Sequence, residues 1–303
     1  LENFSLPVLN LLPGTNVFAV EVHQSSASSS DVVWGMALQA TRTFTNEAAV
    51  AVRINEVLAN NTSYFETDGV FPDWVELFNP TAADIDLSDM SLTDQLTTPR
   101  RWVFPAGSLL PANGYRVIRF DSSLPPAADN TGFGLSAGGD AVYLFDALSR
   151  GGALMDSVTF GLQAADLSLG RVPQGSGPWV LTLPTPGAVN IAVTLGSSSL
   201  LKVNEWMASP ASGEDWFELY NPNPQPVALG GLYLTDNLGN RTKYQIPPRS
   251  FIGAEASGFA RFWADELPAQ GADHVSFKLS AGGEALGIFG PGGVQIDAVT
   301  FGP

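Results

Sequence analysis

The chain predicts an all-β protein that contains two copies of one sandwich domain. Three observations carry the prediction. Asp73-Trp74-Val75-Glu76-Leu77-Phe78-Asn79 returns as Asp215-Trp216-Phe217-Glu218-Leu219-Tyr220-Asn221. Leu92-Thr93-Asp94 and Phe104-Pro105 return as Leu234-Thr235-Asp236 and Ile246-Pro247 at the same offset. Short runs of β-formers lie between Gly and Pro turn signals, and 3.6-residue periodicity is absent throughout. Looser matches join Ile54-Asn55-Glu56 to Val203-Asn204-Glu205, Ser136–Asp140 to Ser280–Glu284, and Val158–Gly161 to Val299–Gly302. Their offsets drift by a few residues, as loop insertions make them do. A period this long means tandem domains rather than a solenoid of short repeats.

The repeated heptad reads as a central strand. Trp74, Glu76 and Phe78 point one way, and Val75 and Leu77 the other, between Pro72 and Asn79-Pro80. Apolar residues on both faces place it inside a sandwich. A Glu between two aromatics needs a partner, because an unpaired buried carboxylate is costly. The reading favoured for Glu76 and Glu218 is therefore a hydrogen-bonded structural carboxylate.

Composition bounds the rest. At 303 residues there is room for two or three domains, and only 15% of residues are charged. The net charge is −16 and no segment is basic, which argues against nucleic acid and against an anionic membrane surface as partners. There is no cysteine, so disulfides and thiolate metal sites are excluded. His23 and His274 are the two histidines, too few and too far apart for a triad or a histidine metal site. No apolar run reaches the roughly 18 residues of a membrane helix. The chain begins at Leu1 without a signal peptide and reads as a piece of a longer or processed product. An acidic, Lys-poor, cysteine-free β protein fits the style of secreted bacterial proteins.

In order, residues 1–44 stand outside the repeat. Val17–His23 alternates after the turn Pro13-Gly14-Thr15-Asn16, Ser25–Ser30 is a loop, and Val32–Leu38 is a further strand. Two or three strands bury no core alone. His23 reads as a half-buried packing residue rather than a ligand. Residues 45–51 are a linker, 52–190 the first sandwich, 191–200 a second linker and 201–303 the second sandwich. Strands are expected at Val52–Ala59, Trp74–Asn79, Ile85–Leu87, Ser91–Thr93, Arg101–Phe104, Tyr115–Phe120, Ala141–Phe145, Leu154–Phe160, Ser168–Arg171 and Trp179–Leu181. The second copy stops at Phe301-Gly302-Pro303, without the stretch that in the first runs through Gly170-Arg171-Val172-Pro173 and Trp179 to Asn190. Its closing strands are expected to be missing, which would expose unpaired backbone.

Ile-Asn-Glu-Val, Asp-Trp-Val-Glu-Leu-Phe-Asn, Leu-Ser-Asp-Met-Ser-Leu-Thr-Asp, Phe-Pro-Ala-Gly-Ser-Leu-Leu-Pro-Ala-Asn-Gly-Tyr, Leu-Ser-Ala-Gly-Gly-Asp and the closing Thr-Pro-Gly-Ala-Val-Asn together resemble the lamin tail domain. The resemblance implies tandem immunoglobulin-like β-sandwiches over 52–190 and 201–303. It also implies a non-catalytic module for assembly, attachment or presentation, with no catalytic residue to carry over. Bacterial members of that family sit in large secreted or surface proteins. Residues 1–44, with Gly14-Thr-Asn-Val-Phe-Ala-Val-Glu-Val-His-Gln24, resemble the closing strands of jelly-roll, galactose-binding-like modules.

Candidate chemistry is thin. Glu66, Asp68 and Asp73 with Gly69 place oxygens at short spacing, yet lack the full calcium-loop pattern, and Asp73 reads more simply as a turn residue. Glu56 with Glu76, and Glu205 with Glu218, form carboxylate pairs across neighbouring strands; a glycosidase would need such a pair in an open cleft. Their fold-defining positions favour a structural role. Ser136-Ala-Gly-Gly and Ser280-Ala-Gly-Gly precede strands, with no Lys, and read as turns rather than phosphate loops. Trp179, Trp206, Trp263 and Tyr244 suggest either a sugar-stacking platform or, preferably, core packing. Sequons stand at Asn3, Asn60, Asn61 and Asn240. No catalytic, cofactor or metal residue is assigned.

The function expected is a non-catalytic extracellular or cell-surface scaffold, spacer or adhesion segment, possible as a filament built by β-strand addition. The alternative is an accessory module that binds carbohydrate or another surface polymer beside a secreted enzyme.

Overall fold

The computed structural model describes residues 51–64 and 69–303, which lie in one compact unit. The expectations for residues 1–50, His23 and Asn3 included, and for Glu66 and Asp68, fall outside the described residues.

The first copy holds β1 (Arg53–Leu58), β2 (Asp73–Phe78), β3 (Ile85–Asp86), β4 (Ser91–Thr93), β5 (Trp102–Val103), β6 (Leu109–Leu110), β7 (Tyr115–Phe120), β8 (Asp140–Phe145), β9 (Leu154–Phe160), β10 (Ser168–Arg171), β11 (Trp179–Leu183) and β12 (Ile191–Ala192). One sheet runs β12-β11-β10-β1-β2-β7, the facing sheet β5-β4-β8-β9, and β3 pairs with β6. All pairings between these strands are antiparallel. Alternation supplies the core: Val75, Leu77 and Ile118 from one sheet meet Leu92, Val142, Leu144 and Val158 from the other, all buried. Strand β2 is central, between β1 and β7, and Trp74, Glu76 and Phe78 on its outer face are buried, like Val75 and Leu77 on its core face.

The second copy holds β13 (Lys202–Met207), β14 (Asp215–Tyr220), β15 (Val227–Ala228), β16 (Tyr233–Thr235), β17 (Tyr244–Gln245), β18 (Phe251–Ile252), β19 (Phe259–Ala264), β20 (Glu284–Phe289) and β21 (Gln295–Phe301). Its sheets run β13-β14-β19 and β17-β16-β20-β21, with β15 paired to β18. Phe217 stacks on Phe262 at 5.5 Å and on Phe277 at 6.0 Å in the core. The Ser-Ala-Gly-Gly stretches are turns: Gly139 and Gly283 take φ of 125° and 97°, where a side chain is strained.

Residues 191–200, expected as a linker, are held instead. Ile191–Ala192 pairs with Leu183 and Thr182, Val193 N donates to Leu181 O at 2.9 Å, and Gly196 N to Pro226 O at 2.9 Å. An alternating apolar run beside an open strand edge satisfies its backbone by pairing.

The two copies are joined by exchanged side chains. Phe251 of the second copy is buried in the core of the first, and Leu162 packs against the core of the second. Phe251 N donates to Leu162 O at 2.8 Å, Gln163 Nε2 to Arg249 O at 2.8 Å, Arg249 Nη1 to Thr159 O at 2.8 Å and Ala272 N to Gly138 O at 2.6 Å.

Candidate interaction surface

The bulge at Asn55 organises the outer face of the first copy. The register of β1 on β2 shifts between Ile54 and Glu56, which frees the Asn55 side chain to donate from Nδ2 to Glu76 Oε1 at 3.0 Å. Glu56 lies opposite Glu76 across the two strands. Two carboxylates this close need donors, and the segment around β10 and β11 supplies them. Ser168 Oγ donates to Glu56 Oε1 at 2.5 Å, and Thr185 gives its amide to Oε1 at 3.0 Å and its hydroxyl to Oε2 at 3.1 Å. Gly187 N donates to Glu76 Oε2 at 2.5 Å. Gly175 N donates to Asn55 Oδ1, and Asn190 Nδ2 to Asn55 O. Arg171 bonds Ile54 O through Nε and Asp156 through Nη2 at 2.9 Å, with its guanidinium 4.5 Å from the Trp179 ring. Burial raises Glu56 and pushes Glu76 up to about 7. Both carboxylates have zero exposure, and each of their oxygens accepts a hydrogen bond.

The second copy repeats the acceptors but not their cover. The register of β13 on β14 shifts between Val203 and Glu205, and Asn204 Nδ2 donates to Glu218 Oε1 at 2.8 Å. Asp297 Oδ2 accepts from Val203 N at 2.9 Å, as Asp156 Oδ2 does from Ile54 N at 3.0 Å. Where Asp156 pairs with Arg171, Asp297 pairs with Lys202, at 3.4 Å. Among the described residues no strand pairs with the outer edge of β13. Asn204, Glu205 and Met207 are exposed, and Trp206, Trp216, Glu218 and Tyr220 are half-buried. Across β14 and β19, Trp216 lies opposite Trp263, Glu218 opposite Arg261 and Tyr220 opposite Phe259. The Arg261 guanidinium stands 4.7 Å from the Trp216 ring and 5.6 Å from that of Trp263.

The other candidates resolve into packing. Trp179 packs on the first core, Trp206 on the second, 5.3 Å from Phe301, and the buried Tyr244 donates to Ala272 O at 3.0 Å. Trp263 stays half-buried on the open face. Asp73 accepts from Leu135 N at 3.2 Å, and burial pushes it up to about 6. Asn60 and Asn61 spend their amides on Gln163 O and Pro72 O; Asn240 is exposed. His274 Nδ1 lies 2.5 Å from Asp265 Oδ2. Among the described residues no group of three metal-ligating side chains forms. A cleft of 330 Å³, which the sequence does not foresee, lies at the seam between copies and includes Asn60, Gln163, Arg261 and Asp273 in its walls.

The duplicated architecture and the doubled Asn-Glu-Glu cluster agree with one comparison. The lamin tail domain profile matches residues 45–161 and 196–303. The chain belongs to the lamin tail domain family. This is a family of non-enzymatic, immunoglobulin-like domains, present here as two tandem copies. The first lamin tail match ends at Gly161, so the segment that covers Glu56 and Glu76 lies beyond it, where the resemblance was expected to run to Asn190. No curated protein and no solved structure matches the chain. No helix among the described residues is long and apolar enough to cross a membrane.

Sequence reasoning missed the bulge asparagines. Asn55 and Asn204 were visible as part of a repeated triplet, but a single extra residue leaves no mark on a two-residue period.

Proposed function

We propose that the chain is a non-catalytic structural segment of a secreted or cell-surface bacterial protein: a spacer or scaffold that associates with other polypeptides by β-strand pairing. The observation that carries this reading is the seam, where Phe251 and Leu162 each pack against the other copy's core. Two domains joined in this way hold their ends at a set separation, whereas domains on a loose linker do not. The family's non-enzymatic character and the buried, fully hydrogen-bonded Glu56 and Glu76 support it. Strand pairing rests on the open edge of β13. A heterologous contact of this kind that does not close on itself builds a filament.

The test is protease shaving of intact producing cells, followed by electron microscopy of the released native protein. Cleavage by external protease, with paired domains at a constant spacing, is the expected result. A protein protected inside the cell, or domains at random separations, would remove the reading.

A second reading has its own observation. The half-buried Trp216 and Trp263 with Arg261 between them form a stacking surface of the kind that binds sugar rings. Retardation in gels that contain a surface polysaccharide, lost in Trp263→Ala, would favour a carbohydrate-binding module.

A further inference from the structure

We infer that β13 and the outer face of β14 are the receiving site for a β-hairpin that presents hydroxyl, glycine-amide, asparagine and arginine groups. The inference rests on the association reading above and adds the chemistry of the partner. The first copy serves as the template. There, the same strand pair carries such a hairpin, β10–β11, followed by the Thr185–Asn190 turn. Its strand β10 pairs antiparallel with β1 at Glu56 and Val57. The equivalent positions on β13 are Glu205 and Trp206, paired to β14 on one side and with no strand at their outer edge among the described residues.

The acceptors match one by one. Asn204 stands where Asn55 takes the Gly175 amide, and Glu205 where Glu56 takes Ser168 and Thr185. Glu218 stands where Glu76 takes the Gly187 amide, and Asp297 where Asp156 takes Arg171. The internal bonds of the receiving surface are already made in both copies: Asn to Glu across the strands, and the Asp oxygen on the β13 or β1 amide. The surface is therefore preorganised, and a partner does not have to reshape it. Charge points the same way. Residues 166–193 carry one basic side chain, Arg171, and one acidic, Asp166 at their start. Against Glu205, Glu218 and Asp297, an acidic strand would be repelled and a neutral strand with one arginine accepted. The apolar part fits too: in the first copy Trp74 and Phe78 are buried, and Gly175 lies directly against the Phe78 ring. Trp216 and Tyr220 take those positions in the second copy and are only half-buried.

The probe is a synthetic peptide of residues 168–193, titrated into the full chain by calorimetry. In the first copy the tethered hairpin outcompetes it, so the free peptide reports on β13. One peptide per chain is expected. Glu205→Lys, on an exposed residue that folding tolerates, weakens binding by about tenfold or more. A peptide with Arg171→Ala loses affinity without any change to the protein. Absence of binding at the solubility limit of the peptide, or binding indifferent to both substitutions, overturns the inference. Sedimentation of the chain alone separates the two claims. Self-association abolished by Glu205→Lys, with no peptide binding, puts a second copy on the edge; it overturns the hairpin assignment and keeps the association reading.

Discussion

Ser168 donates its hydroxyl to the buried carboxylate of Glu56 at 2.5 Å, across 112 positions of chain. The bond ties the segment beyond the lamin tail match to the first strand of the domain. It also makes tolerable a pair of carboxylates, Glu56 and Glu76, that would otherwise face each other without solvent. Ser168→Ala takes one donor from that oxygen, leaving the Thr185 amide, and is expected to destabilise the first copy by about 1–3 kcal/mol. Chemical denaturation followed at Trp179 reads the effect, while a probe of the second copy should move far less.

The same cluster sets a pH dependence. Burial lifts Glu76 from its ordinary 4.5 to about 7 and Asp73 from 3.8 to about 6. Between those limits the folded chain holds protons that the unfolded chain has released. Stability is therefore fully present at the acid end of the window and falls as pH rises through the folded values. For Glu76 the upper bound is about 3 kcal/mol. Melting temperatures measured from about pH 5 to pH 8 should decline, and Glu76→Gln should flatten the slope. A rising melting temperature over that range would contradict the assignment.

Gly161 is a test of the seam. It lies outside the left-handed region, so alanine suits its backbone. A Cβ there would stand 2.0 Å from Ser250 Oγ and 3.2 Å from Ala272 Cβ. Gly161→Ala should push the copies apart at a cost of roughly 1–3 kcal/mol, and hydrogen exchange at Leu162 and Phe251 should accelerate. Gly302→Ala, where nothing lies within 4 Å, should change neither.

Tyr244 offers a spectroscopic mark of the same region. Burial pushes its phenol up to about 12, and its hydroxyl donates to Ala272 O. Ultraviolet titration should show a phenol that ionises near pH 12, and Tyr244→Phe should remove that step.

The heptad, its central place and the tandem duplication were legible because alternation and repetition are written directly in residue order. Leu154–Phe160 and Ser168–Arg171 match the structure to the residue; Gly152 and Gly161 bound the first, and Pro173 follows the second. The short pairing Leu109–Leu110 is not legible, because two residues carry no period. Ile191–Ala192 reads as linker for the same reason, although its partner Leu183 is close by. The crossing of Phe251 into the other copy left no signal at all: an apolar residue in a short strand looks alike whichever core it enters. The carboxylate pairs were visible in sequence. Their different fates were not, because Glu56 and Glu205 differ only in what lies over them.

The two copies share a strand pair that β10 covers in the first and that, among the described residues, has no outer strand in the second. Hydrogen exchange of the full chain tests this difference most directly, by comparing β1 with β13. The amides of Glu56 and Val57 are expected to exchange only with global unfolding, and the outward amides around Glu205 and Trp206 within the range of open edges. Equal, high protection of the two strands would contradict it.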